Sequence, residues 1–303
     1  MKKYLWGVIY GLLLTAFTVY VLLDTFVITR VYITAPGGDD SSISAVTEST
    51  AATQPEKADV ILTDSSYSDG NITIEIKEYR EKDTTIYVAD VQLTSAEYLK
   101  TAFASNAYGK NVTAKTSVIA EECNAILAIN GDYYGARESG YVLRNGVLYR
   151  TDAKSDQEDL VIWPDGSFEV ITEKSTTAKS LYESGARQVL SFGPALVADG
   201  KIAVSEDDEV GKAKASNPRT AIGIIDDLHY VFVVSDGRTD ASAGLSLYEL
   251  AEFMQSLGTT IAYNLDGGGS STMVFNGKVL NNPTTSGKSI KERSVSDIVY
   301  IGY

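Results

Sequence analysis

The sequence predicts an α+β protein, a mixed β-sheet domain with few helices, preceded by one N-terminal transmembrane helix. Short apolar segments with period-two alternation outnumber segments with helical periodicity, which is typical of a strand-rich domain. An uncharged apolar run at the N-terminus has the length of a membrane span. Strands and a few helices in irregular order favour the α+β class over an alternating βαβ arrangement.

The N-terminal run extends from Tyr4 to Leu23 and follows Lys2 and Lys3. Twenty helical residues cover about 30 Å, the thickness of the hydrocarbon core. A cleavable signal has a shorter apolar region, of about 7–15 residues. We therefore assign residues 1–30 to a cytoplasmic tip and an uncleaved signal anchor in the cell membrane. The basic residues precede the run, which predicts a cytoplasmic N-terminus and an extracellular domain. A long signal peptide cut near Ala35 is the alternative.

Two further regions follow the anchor. Residues 31–70 are rich in Ser, Thr and acidic residues and lack apolar periodicity, so we expect an acidic stalk. Residues 71–303 form the predicted folded domain. Its first strand is the alternating segment Asn71–Ile76, and Thr85–Leu93 is the expected hairpin partner.

Turn and cap signals define the later elements. We expect hairpin turns at Asp165-Gly166, Asp199-Gly200 and Asn276-Gly277. The clearest helix runs from Ser246 to Leu257, because Ser246 and Glu249 match a capping box and Gly258 matches a stop. A shorter helix is expected over 116–125. The remaining predicted strands are 125–129, 147–150, 160–163, 167–171, 188–192, 195–198, 221–225, 230–235, 261–265, 272–275 and 298–301.

Composition excludes several classes of function. The formal net charge is −14 and no Lys/Arg run is present, which argues against nucleic acid as a partner. A single cysteine, Cys123, cannot form an intrachain disulfide or a zinc cluster, and we expect it to be a small buried residue. The single histidine, His229, excludes chemistry that needs two imidazoles. It lies outside the polar clusters described next, so we expect a structural or surface role.

Polar residues and glycines concentrate where apolar strands begin or end, which is where binding and catalytic groups tend to lie. A turn, a surface arginine or a local ion pair would explain each segment individually. The segments are Asn130–Tyr134, Asn217–Thr220, Ser235–Arg238, Asn264–Thr272 and Arg293–Asp297.

The segment Asn264–Thr272 contains three successive glycines, Gly267–Gly269, followed by Ser270 and Ser271. Ordering three glycines is costly in conformational entropy, and successive amides can form an anion-binding nest. A flexible hairpin loop is the alternative. The segment is neither a P-loop, because no Gly-Lys-Ser/Thr follows, nor a nucleophile elbow, because Gly-x-Ser-x-Gly is absent.

Together these segments resemble the phosphodiester glycosidase family. The resemblance extends from Ile72 to Tyr303, and its specificity lies in the order and spacing of individually weak motifs. They are Ala128–Tyr134, Ser191–Pro194, Asn217–Gly223, Ser235–Arg238, Ser246–Gly258, Asn264–Ser271 and Arg293–Asp297. Ser235 stands where relatives often carry another residue. The resemblance implies hydrolysis of a sugar–phosphate diester at the anomeric carbon, typically with release of N-acetylglucosamine (GlcNAc).

Such a reaction needs a carboxylate to stabilise the oxocarbenium ion or activate water, and cationic or amide groups to stabilise the departing phosphate. We expect the catalytic carboxylate to be Asp266, Asp236 or Asp132, in that order. The expected substrate- and phosphate-binding residues are Asn130, Arg219, Arg238, Gly267, Gly268, Gly269, Ser270, Ser271 and Arg293.

Three alternatives remain open at this stage. No cofactor is firmly implied, but Asp132, Asp236 and Asp266 could instead hold a divalent cation. The same pocket could bind a cell-wall or capsular polysaccharide without turnover. A phosphodiesterase would cleave P–O rather than C–O. The expected partner is a sugar-phosphate diester glycan of the cell wall or of exopolysaccharide, reached by a domain tethered to the membrane.

Overall fold

The computed structural model describes residues 2–34, 60–154, 156–206 and 216–303. Residues 35–59, the greater part of the predicted stalk, lie outside the described residues. Four α-helices are present in the described part: α1 (Lys2–Phe26), α2 (Thr116–Glu122), α3 (Ala178–Glu183) and α4 (Leu247–Ser256).

The described residues form 23 strands, numbered in chain order. They are β1 (Arg30–Thr34), β2 (Ile61–Leu62), β3 (Ser66–Ser68), β4 (Ile72–Glu81), β5 (Thr84–Leu93), β6 (Leu99–Phe103), β7 (Ala107–Lys110), β8 (Ala114–Lys115), β9 (Leu127–Asn130), β10 (Val142–Arg144), β11 (Val147–Arg150), β12 (Glu158–Ile162), β13 (Phe168–Thr172), β14 (Gln188–Leu190), β15 (Ala195–Ala198), β16 (Lys201–Ile202), β17 (Arg219–Asp226), β18 (His229–Ser235), β19 (Ile261–Leu265), β20 (Met273–Phe275), β21 (Lys278–Val279), β22 (Ser294–Val295) and β23 (Asp297–Ile301).

Three larger sheets build the domain. A nine-stranded sheet has the order β16-β15-β19-β17-β18-β5-β4-β3-β2. Two five-stranded sheets have the orders β21-β20-β9-β23-β6 and β11-β10-β14-β12-β13. Two small sheets pair β1 with β7 and β8 with β22.

The core lies between the nine-stranded sheet and the two five-stranded sheets. Phe232 on β18 packs there in one cluster with Ile129 of β9 and Leu190 of β14, all fully buried. Successive strand residues point to opposite faces, so Val231 and Val233 pack instead against the Leu250 face of α4. Helices α2 and α3 cover the outer faces of the two five-stranded sheets. The sheets are thus held rigidly, with their strand ends available for a site.

The predicted fold class is confirmed: the domain is mostly sheet with few helices, and one long apolar helix precedes it. The β4–β5 hairpin and the capping box between Ser246 and Glu249 are present as expected. The predicted hairpins at Asp165-Gly166, Asp199-Gly200 and Asn276-Gly277 are also present.

The strand pairings of the described residues are all antiparallel, whereas we expected a mixture of parallel and antiparallel pairs. The crossover through α4 explains the difference. It joins β18 to β19, which run in the same direction, but β17 lies between them and pairs antiparallel with both.

The N-terminal helix α1 is apolar over Trp6–Phe26, and none of that segment is buried. It is long and apolar enough to cross a membrane. Three parts of the range assigned to the stalk are strands. Residues 30–34 pair with β7, and β2 and β3 extend the edge of the nine-stranded sheet. Tyr32 and Tyr67 supply the aromatic packing that a polar stalk would lack.

Candidate functional site

The site forms where the ends of strands from two sheets meet. β9 and β19 end at Asn130 and Leu265, and β17 and β23 begin at Arg219 and Asp297. Asn130 is fully buried and connects the two sheets. Its Nδ2 donates to the carbonyl oxygen of Asp266 at 2.6 Å, and its Oδ1 accepts from the Thr220 hydroxyl at 2.8 Å and the Thr272 amide at 3.2 Å. Asn130 therefore positions the Asp266 backbone, and both ends of its side-chain amide are engaged within the protein.

Asp266 and Arg293 form the centre of the site. Arg293 Nη2 donates to Asp266 Oδ2 at 2.7 Å, and its Nε donates to Ser270 Oγ at 2.9 Å. The Asp266 side chain is 12% exposed and that of Arg293 is 38% exposed, so Asp266 is recessed below its more exposed partner. We call this partly open surface the depression. Burial raises the pKa of the Asp266 carboxyl above its usual range, although Arg293, Ser270 and Arg137 act in the opposite direction.

Two further arginines lie near this pair. The Arg137 guanidinium lies close enough to influence the Asp266 carboxyl, and it packs over the Phe192 ring, with its Cζ 4.8 Å from the ring centroid. Burial and, secondarily, the charge of Arg293 lower the pKa of Arg238. Arg238 is held by Asn217 Oδ1 at 2.9 Å and the Thr285 carbonyl oxygen at 2.6 Å. Arg293 therefore pairs directly with the Asp266 carboxyl, Arg137 acts on it through its charge, and Arg238 lies on the side of Arg293.

An exposed aromatic ring completes the depression. Arg293 Cζ lies 5.7 Å from the centroid of the Tyr133 ring, which is 40% exposed. Tyr133 adopts a left-handed conformation, with φ of 66°, directly after the buried Asp132. This conformation turns the chain outward and leaves the ring at the surface beside the arginines.

The glycine segment passes directly beneath Arg238. Gly268 has φ of 63°, and a Cβ there would lie 2.9 Å from Arg238 Nη2, so a side chain would displace the guanidinium. The Gly268 amide donates to the Pro218 carbonyl oxygen at 2.8 Å and is therefore occupied. Ser270 contacts Arg293, whereas Ser271 is fully buried below the loop. Gly267 and Gly269 flank Gly268 in the same loop, and the Gly269 carbonyl accepts from the Arg293 amide at 3.3 Å.

Asp132 lies outside the depression, in a buried ion-pair network. Its Oδ2 accepts from Arg144 Nη2 at 2.7 Å and from the Ser191 amide at 2.8 Å. The same Arg144 Nη2 donates to Asp297 Oδ2 at 2.8 Å. The Asp132 and Asp297 side chains are at most 1% exposed. Burial and the Asp132 charge raise the pKa of Asp297, and Arg144 opposes them. The network fixes the floor of the site.

Asp236 and Arg219 are also tied to the protein. Asp236 accepts from the Asn282 amide at 2.7 Å and the Asn282 side chain at 2.9 Å. Arg219 is 7% exposed, and its Nε donates to the Leu245 carbonyl oxygen at 2.8 Å. Both residues therefore brace loops at the rim.

The three candidate aspartates do not come together as metal ligands. Within the ranges that the structure describes, no group of three His, Cys, Asp or Glu side chains could hold a metal ion. Asp132 is paired with Arg144 and Asp236 with Asn282, which separates their carboxylates from Asp266. His229 also lies apart, at the start of β18, with its Nε2 2.7 Å from Asp90 Oδ1.

The depression, the glycine loop and the buried network all lie within residues 123–302, which match the profile of the phosphodiester glycosidase family. The chain belongs to the phosphodiester glycosidase family. The matched range covers more than half of the chain and includes every candidate site residue named above.

Individual relatives of this phosphodiester glycosidase chain agree with that membership. The SPbeta prophage-derived uncharacterized protein YomE of Bacillus subtilis (strain 168) is 28% identical over 303 residues, which is 93% of this chain and 46% of that protein. Mouse N-acetylglucosamine-1-phosphodiester alpha-N-acetylglucosaminidase is 33% identical over 109 residues, 32% of this chain and 21% of the enzyme. The chain thus spans less than half the length of these relatives.

A solved structure shows the same fold. The zebrafish N-acetylglucosamine-1-phosphodiester alpha-N-acetylglucosaminidase catalytic domain, auto-inhibited by its pro-peptide, matches with a TM-score of 0.62. Sequence identity is 20%, and the match covers 77% of this chain and 83% of that domain. A protein from Synechocystis matches with a TM-score of 0.54 at 15% identity, over 77% of this chain and 62% of its own.

Four residues at or near the candidate site were not among the expected site residues, although Phe192 and Asp297 lie in the motifs Ser191–Pro194 and Arg293–Asp297. Arg137 and Phe192 line the depression, and Arg144 and Asp297 form the buried network. Arg144 precedes an Asn-Gly turn in a hairpin, a position typical of a surface residue, and its partner Asp297 is 153 residues away. Asp297 lies in one of the family motifs, and its position directly before a buried strand was the available signal.

Proposed function

We propose that this chain hydrolyses the anomeric C1–O bond of a sugar 1-phosphate diester, with GlcNAc as the sugar. The observation that carries the proposal is the ion pair between Arg293 and the largely buried carboxyl of Asp266. The charge of Arg137 also acts on that carboxyl, and Arg238 packs against Gly268 in the loop that follows it. Family membership supports the same reaction class.

The arginines suit the charge changes of this reaction. Cleavage of C1–O develops positive charge on the sugar ring and a second negative charge on the departing phosphate. A phosphate monoester is a weak base, so it leaves with little need for a strong general acid. Fixed cations in a partly dehydrated depression stabilise that developing charge. The planar guanidinium groups also match the geometry of phosphate oxygens.

Asp266 is the carboxyl group best placed to act on the sugar. Taken as whole residues, Asp266 is 8% exposed, Asp236 is 4% exposed and Asp132 is fully buried. The other two carboxylates accept several hydrogen bonds from the protein. Its raised pKa brings Asp266 closer to neutral pH, which favours proton transfer. We assign to Asp266 the activation of water and the stabilisation of the oxocarbenium ion.

The sugar would lie against the aromatic residues of the depression. Tyr133 presents an exposed ring beside Arg293, and Phe192 lies beneath Arg137. Apolar ring faces suit the C–H face of a pyranose. We further propose that residues 71–303 form the catalytic domain, that α1 anchors it with the N-terminus in the cytoplasm, and that the substrate belongs to cell-wall or exopolysaccharide metabolism.

The full chain in detergent, incubated with the methyl phosphodiester of α-GlcNAc 1-phosphate, tests the proposal. We expect free GlcNAc and methyl phosphate from the wild type, and loss of both products in Asp266→Asn. Asp64→Asn, at a surface position whose side chain is 95% exposed, is the matched control. Release of GlcNAc 1-phosphate would indicate a P–O phosphodiesterase. Binding without turnover would indicate a polysaccharide-binding module. Either result would overturn the proposal.

A further inference from the structure

The apolar helix α1 is connected to the domain by a very short segment. It ends at Phe26, and β1 begins at Arg30. Three residues lie between them, so the four steps from Phe26 to Arg30 reach at most about 14 Å. A bilayer's headgroup layer is about 5–8 Å deep on each side of the hydrocarbon core. If α1 spans a membrane, β1 must therefore lie at the level of the headgroups or just above them.

Hydrogen bonds and strand pairing hold the end of α1 and β1 against the domain. Asn111 Nδ2 donates to the carbonyl oxygens of Thr25 and Ile28 at 3.3 and 3.1 Å. β1 pairs antiparallel with β7 from Arg30 to Thr34. At Gly109 on β7, a Cβ would overlap the Arg30 carbonyl oxygen, so a glycine is required for β1 to approach. The end of the helix, β1 and the domain thus form one packed unit.

A cavity of about 380 Å³ lies between β1 and the loop that carries Arg137. Tyr32 and Ile33 of β1 form one side, and Tyr134 and Arg137 are on the loop side. The charges of the walls are engaged within the protein: Lys110 pairs with Glu138 at 3.1 Å, and the Arg150 guanidinium donates to backbone carbonyl oxygens. Arg137 also influences the Asp266 carboxyl. Arg137 therefore lines the cavity and acts through its charge on the carboxyl of the proposed site.

The surface of β1 is apolar as well. Val31, Tyr32 and Ile33 are 56%, 57% and 46% exposed. Exposed apolar side chains at the level of the headgroups suit contact with lipid chains. Phosphate groups of membrane lipids lie at the same level. A substrate whose phosphate is attached to a lipid would present that phosphate at the level of β1.

From this placement we propose that the substrate is a lipid-linked sugar, in which the phosphate joins C1 of the sugar to a membrane-embedded alcohol. The cavity behind β1 receives the first carbon atoms of the lipid, and the sugar reaches Asp266 past Arg137. This inference rests on the proposed function. Water adds its oxygen to C1, the C1–O electron pair passes to the phosphate oxygen, and Asp266 takes the proton of the water. The products are the free sugar and a lipid phosphate monoester.

Proteoliposomes containing the full chain test this inference with two probes. One is the farnesyl phosphodiester of α-GlcNAc 1-phosphate and the other is the methyl phosphodiester. We expect kcat/KM to favour the farnesyl probe at least about tenfold, which corresponds to fewer than two buried methylene groups. The double variant Tyr32→Ser/Ile33→Ser should lower that preference at least about fivefold. The control Ile61→Ser, 61% exposed on β2, should leave it unchanged.

Each other outcome overturns a defined claim. Hydrolysis of the methyl probe at an equal or higher rate overturns the lipid-linked substrate and leaves the proposed function intact. If the double variant prefers the farnesyl probe as strongly as the wild type does, the role of β1 and its cavity is overturned. If neither probe is hydrolysed, the proposed function itself is overturned.

Discussion

Asn130 Nδ2 donates to the carbonyl oxygen of Asp266 at 2.6 Å, although 136 residues separate them in the sequence. This bond joins the end of β9 in one sheet to the end of β19 in another. It holds the Asp266 backbone independently of its carboxyl group, which stays available to Arg293 and to the depression. The geometry of the proposed site therefore depends on the packing of two sheets and not on a single loop.

Asp266→Asn should lower kcat at least about 100-fold, because a positioned acid or base typically contributes about 100- to 10,000-fold. The amide keeps the shape of the carboxyl group but cannot take a proton. Initial rates of GlcNAc release from the methyl phosphodiester measure the effect, with Asp64→Asn as the control. A decrease of less than about tenfold would remove Asp266 from the catalytic role.

Arg293→Gln should shift the pH profile as well as slow the reaction. Arg293 lowers the pKa of Asp266 through its charge and its hydrogen bond. Without that charge the Asp266 pKa rises further, so the limb of the kcat profile that Asp266 controls must move to higher pH. Rates measured from about pH 4 to about pH 9 give the shift. A limb that stays in place or moves to lower pH would contradict the pairing.

Arg144→Met should destabilise the fold by about 3–5 kcal/mol, because it leaves two buried carboxylates without their cation. Arg144 donates to both Asp132 and Asp297. The triple variant Arg144→Met/Asp132→Asn/Asp297→Asn removes the buried charges and should recover a large part of this loss. Urea unfolding measures both variants. Equal stability of the single variant and the wild type would show that the network is not buried as described.

Asp159→Asn should make stability less dependent on pH. Burial and the nearby Glu173 raise the pKa of Asp159 from 3.8 to about 9. Between these two values the folded chain retains a proton that the unfolded chain releases. The free energy of unfolding therefore falls as pH rises from about 4 to about 9. The amide that replaces the carboxyl group cannot ionise, so the free energy of unfolding of the variant should not fall in this way. Its difference from the wild-type value should therefore increase by at least about 1.4 kcal/mol from pH 5 to pH 9.

Melting temperatures at pH 5, 7 and 9 test this effect. The exposed variant Asp227→Asn serves as the control and should follow the wild type. If the difference between Asp159→Asn and wild type were the same at all three pH values, Asp159 would not be protonated in the folded state.

Local signals were sufficient for most elements of the fold. The capping box at Ser246 and the turn at Asp165-Gly166 act over a few residues, so the sequence determines them directly. The β1 strand was not predicted, since its pairing with Gly109 is a contact between distant segments. The antiparallel pairing around α4 likewise depends on which strand occupies the place between β18 and β19.

The site shows the same division between local and distant information. The motif around Asp266 could be identified because glycines and hydroxyl residues cluster in one segment. The sequence could not show that Asp132 is removed from the site around Asp266. That outcome depends on the ion pair of Asp132 with Arg144, and Arg144 lies in a hairpin that carries no motif. Burial decides which of several polar residues remains available to a substrate, and burial is set by the packed sheets.

Hydrolysis in ¹⁸O-labelled water shows which bond of the substrate is cleaved. Cleavage of the sugar-side P–O bond and cleavage of C1–O release the same products from the methyl phosphodiester, so product identity does not distinguish them. Mass spectrometry of the products does. We predict the label in the C1 hydroxyl of the released GlcNAc and none in methyl phosphate. Label in methyl phosphate would show attack at phosphorus and would contradict a glycosidase mechanism.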